Sequence, residues 1–251
     1  MTVLLLRLAG PLQSWGSAAR FARRSTENAP TKSGVLGLLA AAEGRPRDAD
    51  LSDLAALRFG VRVDQPGQRL RDFHTAHHSD SGKSMPLSER FYLTDAMFVA
   101  GVEGDTSLLR NLYQALLEPR FLPYLGRRSC PPSRPIDMGP PQEDISLEDA
   151  LRGAEWEPSP WYVDQLARAA RHGGPAGPES LDLLLDCPAG ETPHMSLRDT
   201  PVSFNTRHRQ YGLRGIRAKR TPAPPSHDPT AALRPVDPPI GGTSESLPRT
   251  S

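Results

Sequence analysis

Apolar and polar residues alternate from the start of the chain. In Met1 to Leu8, Val3 and Leu5 share a face with Arg7, while Leu4, Leu6 and Leu8 form the other; this predicts a strand, ended by Gly10-Pro11. A loop rich in Ser, Arg and Gly runs on to about Pro30. From Thr31 to Ala42 (TKSGVLGLLAAA) the period becomes helical. Thr31 or Ser33 supplies the cap, Gly44 and Pro46 the stop, and Val35, Leu36, Leu38, Leu39 and Ala42 one broad apolar face. Gly34 and Gly37 weaken this helix by roughly 1 kcal/mol each relative to alanine. Such positions mark close approach by another element or by a ligand, and tight helix–strand packing is the commoner reason.

Leu51 to Leu57 predicts a further helical turn. In Arg58 to Asp64, Phe59, Val61 and Val63 face one way and Arg58, Arg62 and Asp64 the other, the pattern of an antiparallel strand with one buried face. Gln65 to Glu89 is a polar insertion with Gly, Pro, Ser and the three histidines His74, His77 and His78. Arg90 to Val102 is strand-rich. Thr106 to Leu117 is helical, with Leu108, Leu112, Ala115 and Leu116 on one face, and Phe121 to Leu125 is extended. Strand, helix, strand, insertion, strand, helix and extended segment give the β-α-β-β-α-β order of an α+β, ferredoxin-like fold. That fold is widely reused and carries no function by itself.

The second half predicts helices at Leu147 to Arg152 and Trp161 to Arg171. It also predicts strands at Ser180 to Asp186 and Gln210 to Arg217. Three regions follow: a core over 1–136 with an insertion at about 65–89, a small β-rich C-terminal subdomain over 137–220, and a tail over 221–251. The tail has eight prolines and little apolar content, and is expected to be disordered.

Composition adds limits. The hydrophobic share is 37% and the mean hydropathy −0.48, as in a soluble protein with a modest core. No apolar run approaches the ~20 residues of a membrane helix. TVLLLRL is too short for a signal peptide and lacks a basic leader, so a cytoplasmic location without membrane contact is expected. Cys130 and Cys187 form no CxxC or Cys/His cluster, so no metal, cofactor or structural disulfide is expected.

The net charge of +1 conceals an uneven distribution. Arg7, Arg20, Arg23, Arg24 and Lys32 face one acid, Glu27, before residue 40; seven Lys/Arg face Asp199 alone between Arg198 and Arg220. Asp137 to Glu191 holds twelve acids against three arginines. Basic segments attract a phosphate backbone, or they pair with the acidic segment inside the fold; charge counts leave both readings open. The densest candidate is PYLGRRSCPPSRP (123–135), in a stretch with no acid from Arg120 to Ile136. Gly126 permits close backbone approach, Arg127 and Arg128 offer bidentate contacts to an anion, and the prolines pre-order the loop. For one arginine, pairing with a carboxylate such as Asp137 is as good a reading; for both, an external anion is favoured.

Several blocks now fall into line: LLLRLAGPLQSWG (4–16), PTKSGVLGLLAAAEG (30–44), DFHTA (72–76), RFYLTDAMF (90–98), PRFLPYLGRRSCPPSRP (119–135) and, more faintly, RDTPVSFNTRHRQYGLR (198–214). In this order they resemble the Cas-five family of the RAMP superfamily, in its CasD-type form from the type I-E CRISPR Cascade complex. The resemblance implies an RRM-related core with an inserted thumb and a small C-terminal subdomain. It implies a non-catalytic subunit that caps the 5′ handle of the CRISPR RNA and nucleates assembly for antiviral DNA surveillance. Its expected partners are that RNA, the Cascade backbone subunit through the thumb, the large subunit, and target DNA indirectly. The alternative, drawn from the type I-C relative, is a metal-independent endoribonuclease acting on precursor RNA.

A single-stranded handle is gripped by arginines, backbone N–H groups and stacking aromatics. Gly126, Arg127, Arg128 and Ser129 form the first candidate group. Arg20 and Arg24 lie in a basic loop beside Phe21, with a solvated surface loop as the plain alternative. Lys32 and Ser33 open a helix whose N-terminal N–H groups favour anions, with an ordinary cap as the alternative. Arg90 lies where the thumb returns, and Arg207 and Arg209 in the C-terminal basic strand with Tyr211. Trp15 is a core residue before it is a stacking platform. His74, His77 and His78 supply the acid and base a metal-free nuclease needs. A thumb tip gives poor support for catalytic geometry, so RNA packing is favoured and His74 is counted there.

Overall fold

The computed structural model describes residues 1–17, 23–174, 177–203 and 210–223. The first part runs through β1 (Thr2–Ala9), the two-residue strands β2 (Leu12–Gln13) and β3 (Arg23–Arg24), α1 (Lys32–Ala42) and the single turn α2 (Ser52–Ala55). Then come β4 (Arg58–Gln65), β5 (Gln68–His74), β6 (Ser88–Thr94), β7 (Met97–Gly104) and α3 (Thr106–Leu117). The remainder comprises β8 (Gln142–Glu143), α4 (Leu147–Gly153), α5 (Pro160–Arg171), β9 (Ser180–Asp186), β10 (Met195–Ser203) and β11 (Gln210–Pro222).

The architecture is mixed α/β, with a large antiparallel sheet of seven strands in the order β10-β11-β9-β4-β7-β1-β8. Leu4, Leu6 and Leu8 of β1, Phe59 and Val61 of β4, and Ala100 and Val102 of β7 pack with α1 and α3 in one core. Val3, Leu5, Val99, Leu183 and Leu185 pack under α4 against Leu147, Ala150 and Leu151 in a second. Both faces of the sheet are therefore covered. Gly60 and Gly101 make room for α4, since a Cβ at Gly101 would stand 2.6 Å from Leu147 Cδ1.

That second core corrects the expectation for β4. Arg58 is exposed as expected, but the other two polar positions do not face solvent: Arg62 and Asp64 are buried beneath α4. Arg62 Nε and Nη2 donate to the Asp64 carboxylate at 2.6 and 2.8 Å. Its remaining N–H groups reach the carbonyls of Leu151, Ala154 and Glu155 at 2.6–2.8 Å. Burial pushes the Asp64 carboxyl above the ordinary carboxylate range, against the opposing pull of Arg62.

The insertion is more regular than its composition predicts. β5 and β6 pair from Gln68↔Thr94 to His74↔Ser88, and an isolated bridge His77↔Ser84 closes the tip. The pattern concealed β5 because neither of its faces is buried; Leu70 and Phe73 remain exposed. The strand-rich stretch from Arg90 divides at Asp95, whose φ of 52° turns β6 into a second sheet with β2, β3 and β5, and sends β7 into the first. Phe121 to Leu125 forms no ladder. The edge beside β1 is supplied by β8 and by the bridge Leu6↔Asp137. Pro123 removes a donor, and Arg120 N–H is already bonded to Ala42 O at 2.9 Å, which holds this segment against α1.

The acidic segment pairs with basic ones inside the fold. Glu148 meets Arg152, Arg217 and Lys219, and Asp186 meets Lys32 and Arg214. β10 escapes sequence patterning because its most buried residue is a charge: Asp199, held by Arg214 Nε and Nη2 at 2.8 and 2.7 Å. Residues 224–251, most of the expected tail, lie outside the described residues.

Candidate nucleic-acid interface

A cleft of about 1160 Å³ opens between α1 and the segment that follows α3. One wall is an α1 face bearing Ser33, Gly34, Gly37 and Ala41. The other carries Phe121, Tyr124, Arg127 and Arg128. Arg24 and Tyr211 also border it, and Trp15, fully buried, lies at its base.

The second wall is a loop pinned at intervals. Arg120 N–H meets Ala42 O at the C-terminal end of α1, and Ser14 N–H donates to Leu125 O at 3.1 Å. Leu125 N–H donates to Cys130 O at 2.8 Å and Cys130 N–H to Arg127 O at 2.9 Å, which closes the turn that presents the two arginines. Ser133 N–H then reaches Ala9 O at 2.9 Å and returns the chain to β1. Cys130 is buried under this turn, and desolvation pushes its thiol upward. Gly126 has a φ of 83°, and a Cβ there would stand 1.8 Å from the Ser14 carbonyl oxygen. The close approach that requires glycine is thus to the chain's own backbone.

Arg127 crosses to the other elements. Its guanidinium lies 4.8 Å from the Tyr92 ring centroid, and Nη2 donates to Arg24 O at 2.9 Å. Among the described residues Nη1 is buried with no hydrogen-bond partner, as is Arg90 Nε. Arg24 and Arg90 are register partners in the parallel pairing of β3 with β6, so Arg24, Arg90 and Arg127 are brought together. Among the described residues, Arg24, Arg90, Arg127 and Arg128 make no ion pair with a carboxylate. Arg128 and Ser129 are exposed beside them.

Lys32 belongs elsewhere. Its Nζ meets Asp186 Oδ2 at 3.2 Å and its N–H meets Asp199 Oδ2 at 2.8 Å, so the anion at this helix N-terminus is the protein's own carboxylate. Thr31 Oγ1 accepts from Gly34 N–H at 3.3 Å as the cap, and Ser33 alone of this pair lines the cleft. His74 lies at the exposed end of β5, outside the cleft's lining; His77 Nδ1 and Gly82 O are 3.2 Å apart at the hairpin tip. Arg20, Arg207 and Arg209 lie outside the described residues. Among those described, no group of three His, Cys, Asp or Glu side chains could hold a metal ion, and no helix is long and apolar enough to cross a membrane.

Residues 3–217 match the family model described as CRISPR-associated protein (Cas_Cas5). The chain belongs to this Cas5 family. It is 42% identical over 157 residues to the CRISPR system Cascade subunit CasD of Escherichia coli K12, covering 54% of this chain and 70% of that protein. Among solved structures it is similar to a chain titled "Crystal structure of Cas protein". Identity is 39%, TM-score 0.65, and coverage 88% of this chain and 95% of that one. It is also similar to a chain of a "CRISPR RNA-guided surveillance complex", at 30% identity and TM-score 0.68, covering 88% and 91%.

In this Cas5 chain, sequence reading missed Tyr124 and Phe121 as parts of the cleft, and Tyr92 as the buried ring beneath Arg127. Tyr124 and Phe121 precede the Gly-Arg-Arg turn directly, a signal available in retrospect. Tyr92 carried none, because its meeting with Arg127 joins β6 to a loop 35 positions later.

Proposed function

We propose that this Cas5 protein holds the 5′ handle of CRISPR RNA in the cleft between α1 and the Gly-Arg-Arg turn, as a non-catalytic Cascade subunit that caps the RNA and nucleates assembly. The carrying observation is that Arg24, Arg127 and Arg128 line one cleft, with Arg90 beside Arg24 in the β3–β6 register, and that none of the four has a carboxylate partner among the described residues. Unpaired guanidinium groups beside tyrosines match a phosphate backbone with unstacked bases. Ser33 and Ser129 supply hydroxyls at the same cleft or its rim, while Lys32 acts through α1's position. Arg20, Arg207 and Arg209 are kept as RNA contacts on the sequence alone, and His74 packs against RNA or the backbone subunit on the thumb.

The core over 1–136 is read as ferredoxin-like. The order β4-β7-β1, with α1 and α3 on one face, supports it, and the outermost place beside β1 is taken by β8 from just beyond residue 136. The β5–β6 hairpin is the thumb that meets the backbone subunit, residues 137–220 form the C-terminal subdomain that extends the same sheet, and the large subunit docks alongside in the cytoplasm.

The test is RNA affinity across a salt series. Arg127→Ala with Arg128→Ala is expected to weaken handle binding. It should also flatten the log–log salt slope by about 0.7 for each phosphate that the turn no longer neutralises. A weaker affinity with an unchanged slope would show that this turn holds no phosphate. In cells carrying a CRISPR array, deleting the chain is expected to leave the RNA cut but the complex unassembled; accumulation of precursor RNA would identify a nuclease instead.

A further inference from the structure

Nothing among the described residues explains Gly37. It lies mid-helix in α1, where glycine is the least favourable residue after proline. Its neighbour Gly34 is accounted for, since a Cβ there would stand 2.8 Å from the Trp15 ring. Among the described residues a Cβ at Gly37 would meet nothing within 4 Å. The bare backbone therefore faces open space, and that space is the cleft. Ser33 stands one turn before it and Ala41 one turn after, so this wall is flat. The cleft is also lined by Tyr124, Arg128 and Arg127, whose buried Nη1 has no hydrogen-bond partner among the described residues.

We propose that Gly37 is the floor of a slot that takes one unstacked nucleobase of single-stranded RNA, an inference that rests on the RNA-binding reading above. A mid-helix N–H is already bonded to the carbonyl four residues back and offers a phosphate nothing. A flat face of backbone and Cβ atoms instead suits an aromatic ring, while the facing arginines take the flanking phosphates. A protein segment in the same slot would need acidic residues to meet those arginines, and is the competing outcome.

The experiment uses the full chain, co-purified with its companion subunits. The probes are fluorescein-labelled single-stranded RNA from its own CRISPR repeat and a series with one abasic nucleotide at each position. Gly37→Ala is expected to raise Tm by about 2–4 °C through helix propensity while weakening RNA binding. These opposite signs would not arise from a structural role. Gly37→Leu should stay folded and bind at least tenfold more weakly. In the unsubstituted protein one abasic position should weaken binding about tenfold, within the range of a stacked base, and that penalty should vanish in Gly37→Leu. Unchanged RNA binding by Gly37→Leu, or a flat abasic scan, overturns the slot and leaves RNA binding standing. Loss of the large subunit with RNA affinity unchanged assigns the slot to a protein and also overturns it. If the unsubstituted protein binds no RNA, the functional reading falls and the slot with it.

Discussion

Asp64→Ala is expected to lower the unfolding free energy by about 3–5 kcal/mol, the range for stranding one member of a buried ion pair. Arg62 is fully buried, and all five of its N–H donors are bonded: two to Asp64 and three to carbonyls at the end of α4. The guanidinium thus fastens α4 to the sheet by satisfying carbonyls that a helix C-terminus leaves unpaired. Without Asp64 its charge remains in the interior with no counter-ion. Burial already holds the Asp64 carboxyl above its ordinary range, which means desolvation outweighs the attraction of the pair. Replacing both partners, with Arg62→Met and Asp64→Leu, is therefore expected to destabilise less than Asp64→Ala. Equilibrium urea unfolding of both variants checks this; a double variant less stable than the single one would refute it.

Gly126→Ala is expected to remove RNA binding while leaving most of the fold. A left-handed residue other than glycine costs about 1–3 kcal/mol, and the added Cβ would lie 1.8 Å from Ser14 O. Neither neighbour can yield cheaply. Ser14 N–H is tied to Leu125 O and its hydroxyl donates to Phe91 O at 3.1 Å. The turn must move outward, and Arg127 leaves Tyr92 and Arg24 O with it. Leu125 and Cys130 of this turn belong to the first core, which is therefore disturbed locally, while the second core contains no residue of the turn. Circular dichroism should remain native-like, Tm should fall by several degrees, and handle affinity should fall at least as far as in the Arg127/Arg128 double variant. Native affinity in a folded Gly126→Ala protein would show that the turn's conformation does not matter to binding.

The elements best read from the sequence are those with one covered face or a complete set of end signals. α1 begins after Thr31 and ends before Gly44, α3 follows the Asp105 cap, and β9 alternates buried and exposed residues over SLDLLLD. The Gly-Arg-Arg turn was also legible, because two arginines in an acid-free, proline-rich stretch have no local partner. So was Gly37 as a residue needing a reason, though not the reason.

Tertiary structure decided what depends on partners distant in sequence. α4 covers the polar face of β4, so Arg62 and Asp64 went inside although strand periodicity placed them outside. Lys32, suited by position to an external anion, has its ammonium paired with Asp186 and its backbone N–H bonded to Asp199, both more than 150 residues later. Arg127 meets Tyr92 and the Arg24 carbonyl only because β3 and the turn converge beside β6. Local sequence fixes backbone conformation through propensity, capping and periodicity, all of which act over a few residues. Whether a charge ends in water, in an ion pair or in a binding cleft depends on which carboxylates the folded chain brings within a few ångströms of it.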